Sequence, residues 1–233
     1  MRLFLFDVDG TLVSARGAGR RAMKRALLAV YGATGPADTY DFRGKTDPRI
    51  VEDLMRAAGL SAGEIAERLP AFYDRYLEEL SAEIGDGRQV ALMPGIGELV
   101  RRLSKHPETL VGLLTGNIEG GARLKLSPTG LWSHFRLGAY GSDDPDRSRL
   151  PRVAVRRAEA LVGRPIRPEQ VLVIGDTPLD IGCARAFGAV AVAVATGQHG
   201  VEELATFGPD FLFPDLSDVP RVLATLLNGG PGN

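Results

Sequence analysis

The chain has 233 residues, of which 44% are hydrophobic and 24% are charged, so its composition is that of a globular protein and excludes disordered and fibrous classes. A formal net charge of −1 provides no field that would attract nucleic acid or an anionic membrane surface. Cys183 is the single cysteine, which excludes an intramolecular disulfide and indicates a reducing compartment, and no apolar run approaches the roughly 20 residues that span a bilayer. We therefore expect a cytoplasmic protein with neither a nucleic-acid nor a membrane partner.

Short unbroken apolar runs predict the strands of a parallel sheet. The first run covers residues 3–6, and similar runs cover residues 110–114, 171–174 and 189–195. Such runs are typical of strands that are buried on both faces. Helix-like stretches precede the last three runs, so strand and helix alternate as they do in an α/β fold.

The stretch over residues 14–92 breaks this alternation. Its apolar residues return every three or four positions, which predicts helices only. We expect an all-helical cap domain over residues 14–92, inserted into an α/β core that is formed by residues 1–13 and 93–233.

Two carboxylates follow the first predicted strand directly. Asp7 and Asp9 stand in the motif Asp-x-Asp-Gly-Thr, and residues i and i+2 of an extended strand end point the same way. Two like charges this close need a cation or a proton between them, which predicts a functional site. The alternative interpretation is an acidic turn.

Two later predicted strands also end in polar motifs, at the sheet edge where α/β folds bind ligands. Thr115, Gly116 and Asn117 offer a hydroxyl, an approachable backbone and an amide, which suit an oxyanion, although these residue types also favour turns. Asp176 and Asp180 form the motif Gly-Asp-x-x-x-Asp. The alternative for Asp180 is that it caps the helix that follows.

A polar loop between Gly141 and Pro151 supplies two candidate cations. Arg147 and Arg149 lie in this loop, just before a predicted helix. Either arginine could face an anion bound at the sheet edge, or both could simply neutralise the neighbouring acidic residues.

In this order and spacing, the motifs Asp-x-Asp-Gly-Thr-Leu, Leu-Thr-Gly-Asn and Gly-Asp-x-x-x-Asp resemble those of the haloacid dehalogenase superfamily. The resemblance covers essentially the whole chain, and the helical insertion is similar to the cap of its phosphoglycolate phosphatase-like and β-phosphoglucomutase-like members. It implies a Rossmann-like parallel-sheet core with an inserted helical cap. The third motif of the family is usually a lysine followed by proline. No lysine occurs in the loop here, so Arg147 or Arg149 would take its place, and Arg147 is the preferred candidate.

The resemblance implies phosphoryl transfer through an aspartyl-phosphate. Asp7 would be the nucleophile, and Asp9 would protonate the leaving oxygen and later take a proton from water. Mg²⁺ would be held by Asp7, the backbone carbonyl of Asp9 and Asp176, with Asp180 orienting this set. The groups that would hold the transferring oxygens are Thr115, Gly116, Asn117 and Arg147.

We therefore predict a magnesium-dependent phosphatase for a small phosphorylated metabolite, such as a phosphoglycolate-like acid or a sugar phosphate. A phosphomutase of the β-phosphoglucomutase type would keep the same residues and is the main alternative. A dehalogenase would need neither Asp9 nor magnesium, and a non-catalytic phosphate-binding protein would not need the full set of carboxylates. No long exposed apolar stripe stands out, so both a monomer and a homodimer remain open.

Substrate specificity is expected from residues 42–49 of the insertion, where Arg43, Lys45 and Arg49 place three cations within a short stretch. The resemblance implies that this region faces the active site. Arg43 and Lys45 would then suit a second anionic or hydroxylated end of the substrate. The alternative is a solvated helix entry in which Arg49 pairs with Asp53 four residues on.

Overall fold

The structure is a computed structural model that describes residues 1–228; residues 229–233, the end of the predicted core segment, lie outside the described residues. The strands are β1 (Arg2–Phe6), β2 (Val13–Ser14), β3 (Ala91–Leu92), β4 (Thr109–Thr115), β5 (Leu137–Tyr140), β6 (Val171–Gly175), β7 (Val190–Val194) and β8 (Phe211–Phe213). The helices are α1 (Ala18–Tyr31), α2 (Asp47–Ala57), α3 (Ala62–Ile84), α4 (Ile96–Lys105), α5 (Glu119–Leu126), α6 (Leu150–Val162), α7 (Pro178–Phe187), α8 (Val201–Thr206) and α9 (Val219–Asn228). Within the described residues, no helix is both long enough and apolar enough to cross a membrane.

Six of these strands form one parallel sheet, in the order β5-β4-β1-β6-β7-β8. The central strand β1 is apolar on both faces because each face is covered by helices. Phe4 and Phe6 pack into a cluster with residues of α4 and α9, whereas Leu3 and Leu5 pack into a second cluster with residues of α6 and α7. This arrangement confirms the predicted α/β fold with a Rossmann-like parallel-sheet core.

Two strands of the sheet were not among the predicted apolar runs. β5 has only four residues, and Gly138 interrupts its apolar pattern; β8 has only three. Strands this short carry little periodicity. Their conformation is set by pairing, β5 with β4 and β8 with β7, and therefore by the sheet as a whole.

The helical insertion (residues 14–92) contributes α1, α2 and α3, whose buried residues form a third cluster that also includes Ile118, just before α5. Phe72 and Tyr76 of α3 stack there with ring centroids 5.8 Å apart. The insertion is not helical throughout, because the short strands β2 and β3 pair antiparallel where the chain leaves and re-enters the sheet. The proposed domain boundaries pass through this strand pair and remain a prediction.

Candidate active site

One cavity of about 630 Å³ lies between the carboxyl ends of the strands and the helical insertion. The predicted site residues that line it are Asp7, Asp9, Arg43, Lys45, Thr115, Gly116, Asn117, Arg147 and Asp176. Asp180 and Arg149 do not line the cavity. The order of the strands explains this convergence, because β1 lies between β4 and β6 and the three strands end at the same edge.

The core of the site is a group of three buried carboxylates. Asp7, Asp176 and Asp180 each place one oxygen within 4.8 Å of the other two. Burial, together with the neighbouring carboxylates, raises the pKa of Asp176 to about 8. Burial also raises the pKa of Asp7, to about 6, against the opposing charge of Arg147. Such a cluster favours a bound cation that would offset the repulsion.

The oxygen donors and their surroundings fit a hard divalent cation such as Mg²⁺. Thr11 Oγ1 donates to Asp176 Oδ1 at 3.1 Å, which orients that carboxylate. Glycine backbone approaches its other oxygen closely, since a Cβ atom on Gly10 or Gly197 would lie 2.4 or 1.8 Å from Asp176 Oδ2. Asp176 therefore sits in a cradle that only glycine backbone can form.

Asp180 does not line the cavity itself, but it accepts hydrogen bonds from two residues that do. Its Oδ2 accepts from the Thr177 backbone N–H at 3.1 Å and from Thr177 Oγ1 at 2.6 Å, while its Oδ1 accepts from Arg147. The contacts with Thr177 form a capping box at the start of α7. The helix-cap alternative for Asp180 is thus also realised, and the same side chain serves the helix and the site.

The structure separates the two candidate arginines. Arg147 is buried, and its guanidinium lies 3.1 Å from Asp7 Oδ1. Burial opposes its charge, but the carboxylates of Asp180 and Asp7 outweigh that cost and raise the pKa of Arg147 above its ordinary value. Arg149 is exposed and lies 3.6 Å from Asp144 and 3.5 Å from Asp146, as the charge-neutralising alternative describes.

The second motif closes the other side of the cavity. Asn117 Nδ2 donates to Thr115 Oγ1 at 2.9 Å and to Asp9 Oδ2 at 2.8 Å, so the motif is tied to the loop after β1. Gly116 is required for close packing, because a Cβ atom there would lie 2.0 Å from the backbone oxygen of Lys45. The helical insertion therefore lies directly against this motif.

The sequence analysis did not identify two buried charged residues of the site. Lys125 of α5 donates to Asp9 Oδ2 and to Asn117 Oδ1, each at 2.6 Å. Asp47, at the start of α2, accepts from the Ile118 backbone N–H at 2.8 Å, and burial raises its pKa to about 6. A lysine on the buried face of α5 was a signal that could have indicated the first of these.

The two predicted specificity residues differ in their partners. Lys45 places its Nζ 3.8 Å from the centroid of the Tyr40 ring. Arg43 instead donates two hydrogen bonds to the Asp41 carboxylate, at 2.8 and 2.9 Å. The positive charge of Arg43 is therefore already paired with a negative one. The predicted pair of Arg49 with Asp53 is also present, at 2.9 Å, on the outer side of α2.

Residues 4–194 match the family model of the haloacid dehalogenase-like hydrolases, and the chain belongs to this family. It is 28% identical to a phosphoglycolate phosphatase of Synechococcus elongatus over 97% of this chain and 99% of that one. It is 29% identical to the pyrophosphatase PpaX of Anoxybacillus flavithermus over 94% of this chain and 95% of that one. A hydrolase from Pseudomonas syringae has a similar structure, with a TM-score of 0.71 and 25% identity over 96% of this chain and 98% of that one.

These matches confirm the predicted family, its phosphoglycolate phosphatase-like branch and the enzyme class of phosphoric monoester hydrolases.

Proposed function

We propose that the protein is a magnesium-dependent phosphatase that hydrolyses a small phosphorylated metabolite through an aspartyl-phosphate on Asp7. The observation that carries this proposal is the contact of the Asp7 carboxylate with the buried Arg147 guanidinium, at 3.1 Å, beside two further buried carboxylates. A nucleophile held next to a fixed cation suits an incoming phosphate, whose charge the cation offsets.

In the proposed reaction, Asp7 attacks phosphorus in line, and the bond from phosphorus to the leaving oxygen breaks. Asp9 gives its proton to the leaving oxygen, and it later takes a proton from the water that hydrolyses the aspartyl-phosphate. The groups proposed to hold the transferring oxygens are Arg147, Thr115, Asn117 and the backbone of Gly116. Their contacts within the folded protein fix them before substrate arrives, which lowers the cost of reorganisation.

The residues proposed to hold Mg²⁺ are Asp7, Asp176 and the backbone carbonyl of Asp9. When bound, the ion would offset the repulsion between the Asp7 carboxylate and the phosphate dianion. Asp180 is proposed to orient this set through Arg147, since both of its oxygens already accept hydrogen bonds.

We propose that the helical insertion acts as a cap and supplies specificity, with the core formed by residues 1–13 and 93–233. Lys45 lines the cavity and has no carboxylate partner among the described residues, so it suits a second anionic group on the substrate. Arg43 would assist, although Asp41 already holds it. A phosphorylated small acid or sugar phosphate fits this chemistry, and the named relatives favour a phosphatase over a phosphomutase.

The test is phosphate release from phosphoglycolate, sugar phosphates and p-nitrophenyl phosphate, with and without EDTA. We expect turnover that EDTA abolishes and that Asp7→Asn removes, because the amide keeps the shape but cannot attack phosphorus. Asp74→Asn is the matched control, since Asp74 is exposed on α3. Residual activity of folded Asp7→Asn above about one per cent would contradict the nucleophile assignment.

A further inference from the structure

Lys125 is a buried cation whose contacts are all directed into the site. Its side chain is 4% exposed, and its Nζ donates to Asp9 Oδ2 and to Asn117 Oδ1, both at 2.6 Å. The neighbouring positions Ala122 and Leu126 on the same face of α5 are apolar and belong to the core. An ammonium on such a face is tolerated only where partners compensate its burial.

The contacts of Lys125 close a ring with Asp9 and Asn117. Asn117 Nδ2 donates to the same Asp9 oxygen, Oδ2, at 2.8 Å, and to Thr115 Oγ1 at 2.9 Å. The amide of Asn117 is therefore fixed at both ends: its oxygen faces Lys125 and its nitrogen faces Asp9 and Thr115.

The two oxygens of Asp9 consequently differ. Oδ2 accepts from both Lys125 and Asn117, whereas no group in residues 1–228 donates a hydrogen bond to Oδ1. The Asp9 side chain is 47% exposed and lines the cavity. Oδ1 is thus the oxygen that remains available to a ligand.

The helical insertion leaves room for the ammonium group. A Cβ atom on Gly19 of α1 would lie 3.3 Å from Lys125 Nζ and 3.5 Å from the hydroxyl of Tyr76. A side chain at this position would crowd the lysine, so the glycine leaves space for its ammonium group. Lys125 therefore lies where the core and the insertion meet, in contact with Asp9 of the core and next to Gly19 of the insertion.

We propose that Lys125 is a positioning residue for Asp9. It holds Oδ2 so that Oδ1 is presented to the leaving-group oxygen. This inference rests on the proposed function, in which Asp9 handles the proton of the leaving group.

The experiment compares Lys125→Met, which keeps an unbranched side chain as far as Cε and removes the charged Nζ, with Arg123→Met on the exposed face of the same helix. Both are measured on p-nitrophenyl phosphate, whose leaving group departs without a proton, and on phosphoglycolate, whose alkoxide must be protonated. Because general acid catalysis contributes about 10²–10⁴-fold, we expect Lys125→Met to lose kcat on phosphoglycolate by about ten-fold more than on p-nitrophenyl phosphate, with KM nearly unchanged. Arg123→Met should resemble the wild type on both.

A double-mutant cycle tests whether Lys125 acts through Asp9. We expect Asp9→Asn with Lys125→Met to be no slower on phosphoglycolate than Asp9→Asn alone. Lys125→Arg retains the charge, so it should lose less kcat on phosphoglycolate than Lys125→Met does. If Lys125→Met does not melt cooperatively, Lys125→Gln takes its place in the same cycle, since it removes the charge and leaves a polar group at the buried position.

The outcomes separate the two proposals. An equal loss on both substrates, a change in KM alone, or additive effects in the cycle would overturn the positioning role while the wild-type enzyme remains a phosphatase. Absence of phosphate release by the wild type, or equal sensitivity of Asp9→Asn to both leaving groups, would instead contradict the proposed function itself.

Discussion

The Arg147 guanidinium lies 3.1 Å from the Asp7 carboxylate and also donates to Asp180, so one buried cation connects the end of β1 with the start of α7. Both contacts are made by the same guanidinium nitrogen, Nη2. An arginine thus supplies the buried cation at the place where the family resemblance led us to expect lysine.

Arg147→Ala is expected to lose far more activity than Arg149→Ala. Of the two arginines, Arg147 contacts the proposed nucleophile Asp7, whereas Arg149 contacts Asp144. The measurement is kcat/KM on p-nitrophenyl phosphate, with folding checked by thermal melting. Arg147→Lys keeps the charge on a shorter side chain and should fall between the wild type and Arg147→Ala. A larger loss for Arg149→Ala would move the phosphate-binding role to that residue.

Asp176→Ala is expected to raise the magnesium concentration needed for half-maximal activity, because it removes one of three proposed oxygen ligands. Titration of activity against Mg²⁺ measures this directly. Asp218→Asn, at an exposed aspartate before α9, is the control. Undiminished turnover of the wild type after exhaustive chelation would contradict the proposal that catalysis requires Mg²⁺.

Lys45→Ala is expected to lower kcat/KM by about ten-fold or more for phosphoglycolate, or for another substrate with an anionic group besides its phosphate. The effect on p-nitrophenyl phosphate should be small, since that substrate has no second anion. Arg43→Ala should have a weaker effect of the same kind because Asp41 already holds Arg43.

Arg49→Ala is the matched control for these two variants, since Arg49 is exposed and paired with Asp53. Equal losses on both substrates would indicate that Lys45 supports the fold or the closure of the insertion and does not recognise substrate.

Asp47→Asn is expected to make the stability of the protein less dependent on pH. Burial raises the pKa of Asp47 from 3.8 to about 6, so the carboxyl stabilises the fold fully below pH 3.8 and loses that contribution as pH rises through 6. The shift corresponds to about 3 kcal/mol, as an order of magnitude. An asparagine can still accept from the Ile118 N–H but does not ionise.

The measurement is the Tm of Asp47→Asn and of the wild type at pH 4 and pH 8. The two values should be similar at pH 4, and the variant should be the more stable protein at pH 8. A variant that is less stable than the wild type at pH 8 would show that the ionised carboxylate contributes a net favourable interaction.

The sequence alone determined the α/β class, the family and the candidate carboxylates. These features depend on short-range pattern: residues 3–6 are apolar without interruption, and Asp7 and Asp9 stand two apart at the end of that run. Because the carboxyl ends of parallel strands meet at one edge, the polar motifs after β1, β4 and β6 could be expected to converge.

Only the tertiary structure showed which charged side chains face the site, because local sequence pattern does not specify this. Arg147 and Arg149 have the same chemistry and lie two residues apart, but the one-turn helix that holds them directs Arg147 inward and leaves Arg149 at the surface. Lys125 reaches Asp9 across 116 positions of sequence, since α5 follows β4 and β4 lies beside β1. Such contacts depend on strand order and on the packing of the insertion, and no short-range periodicity encodes either of them.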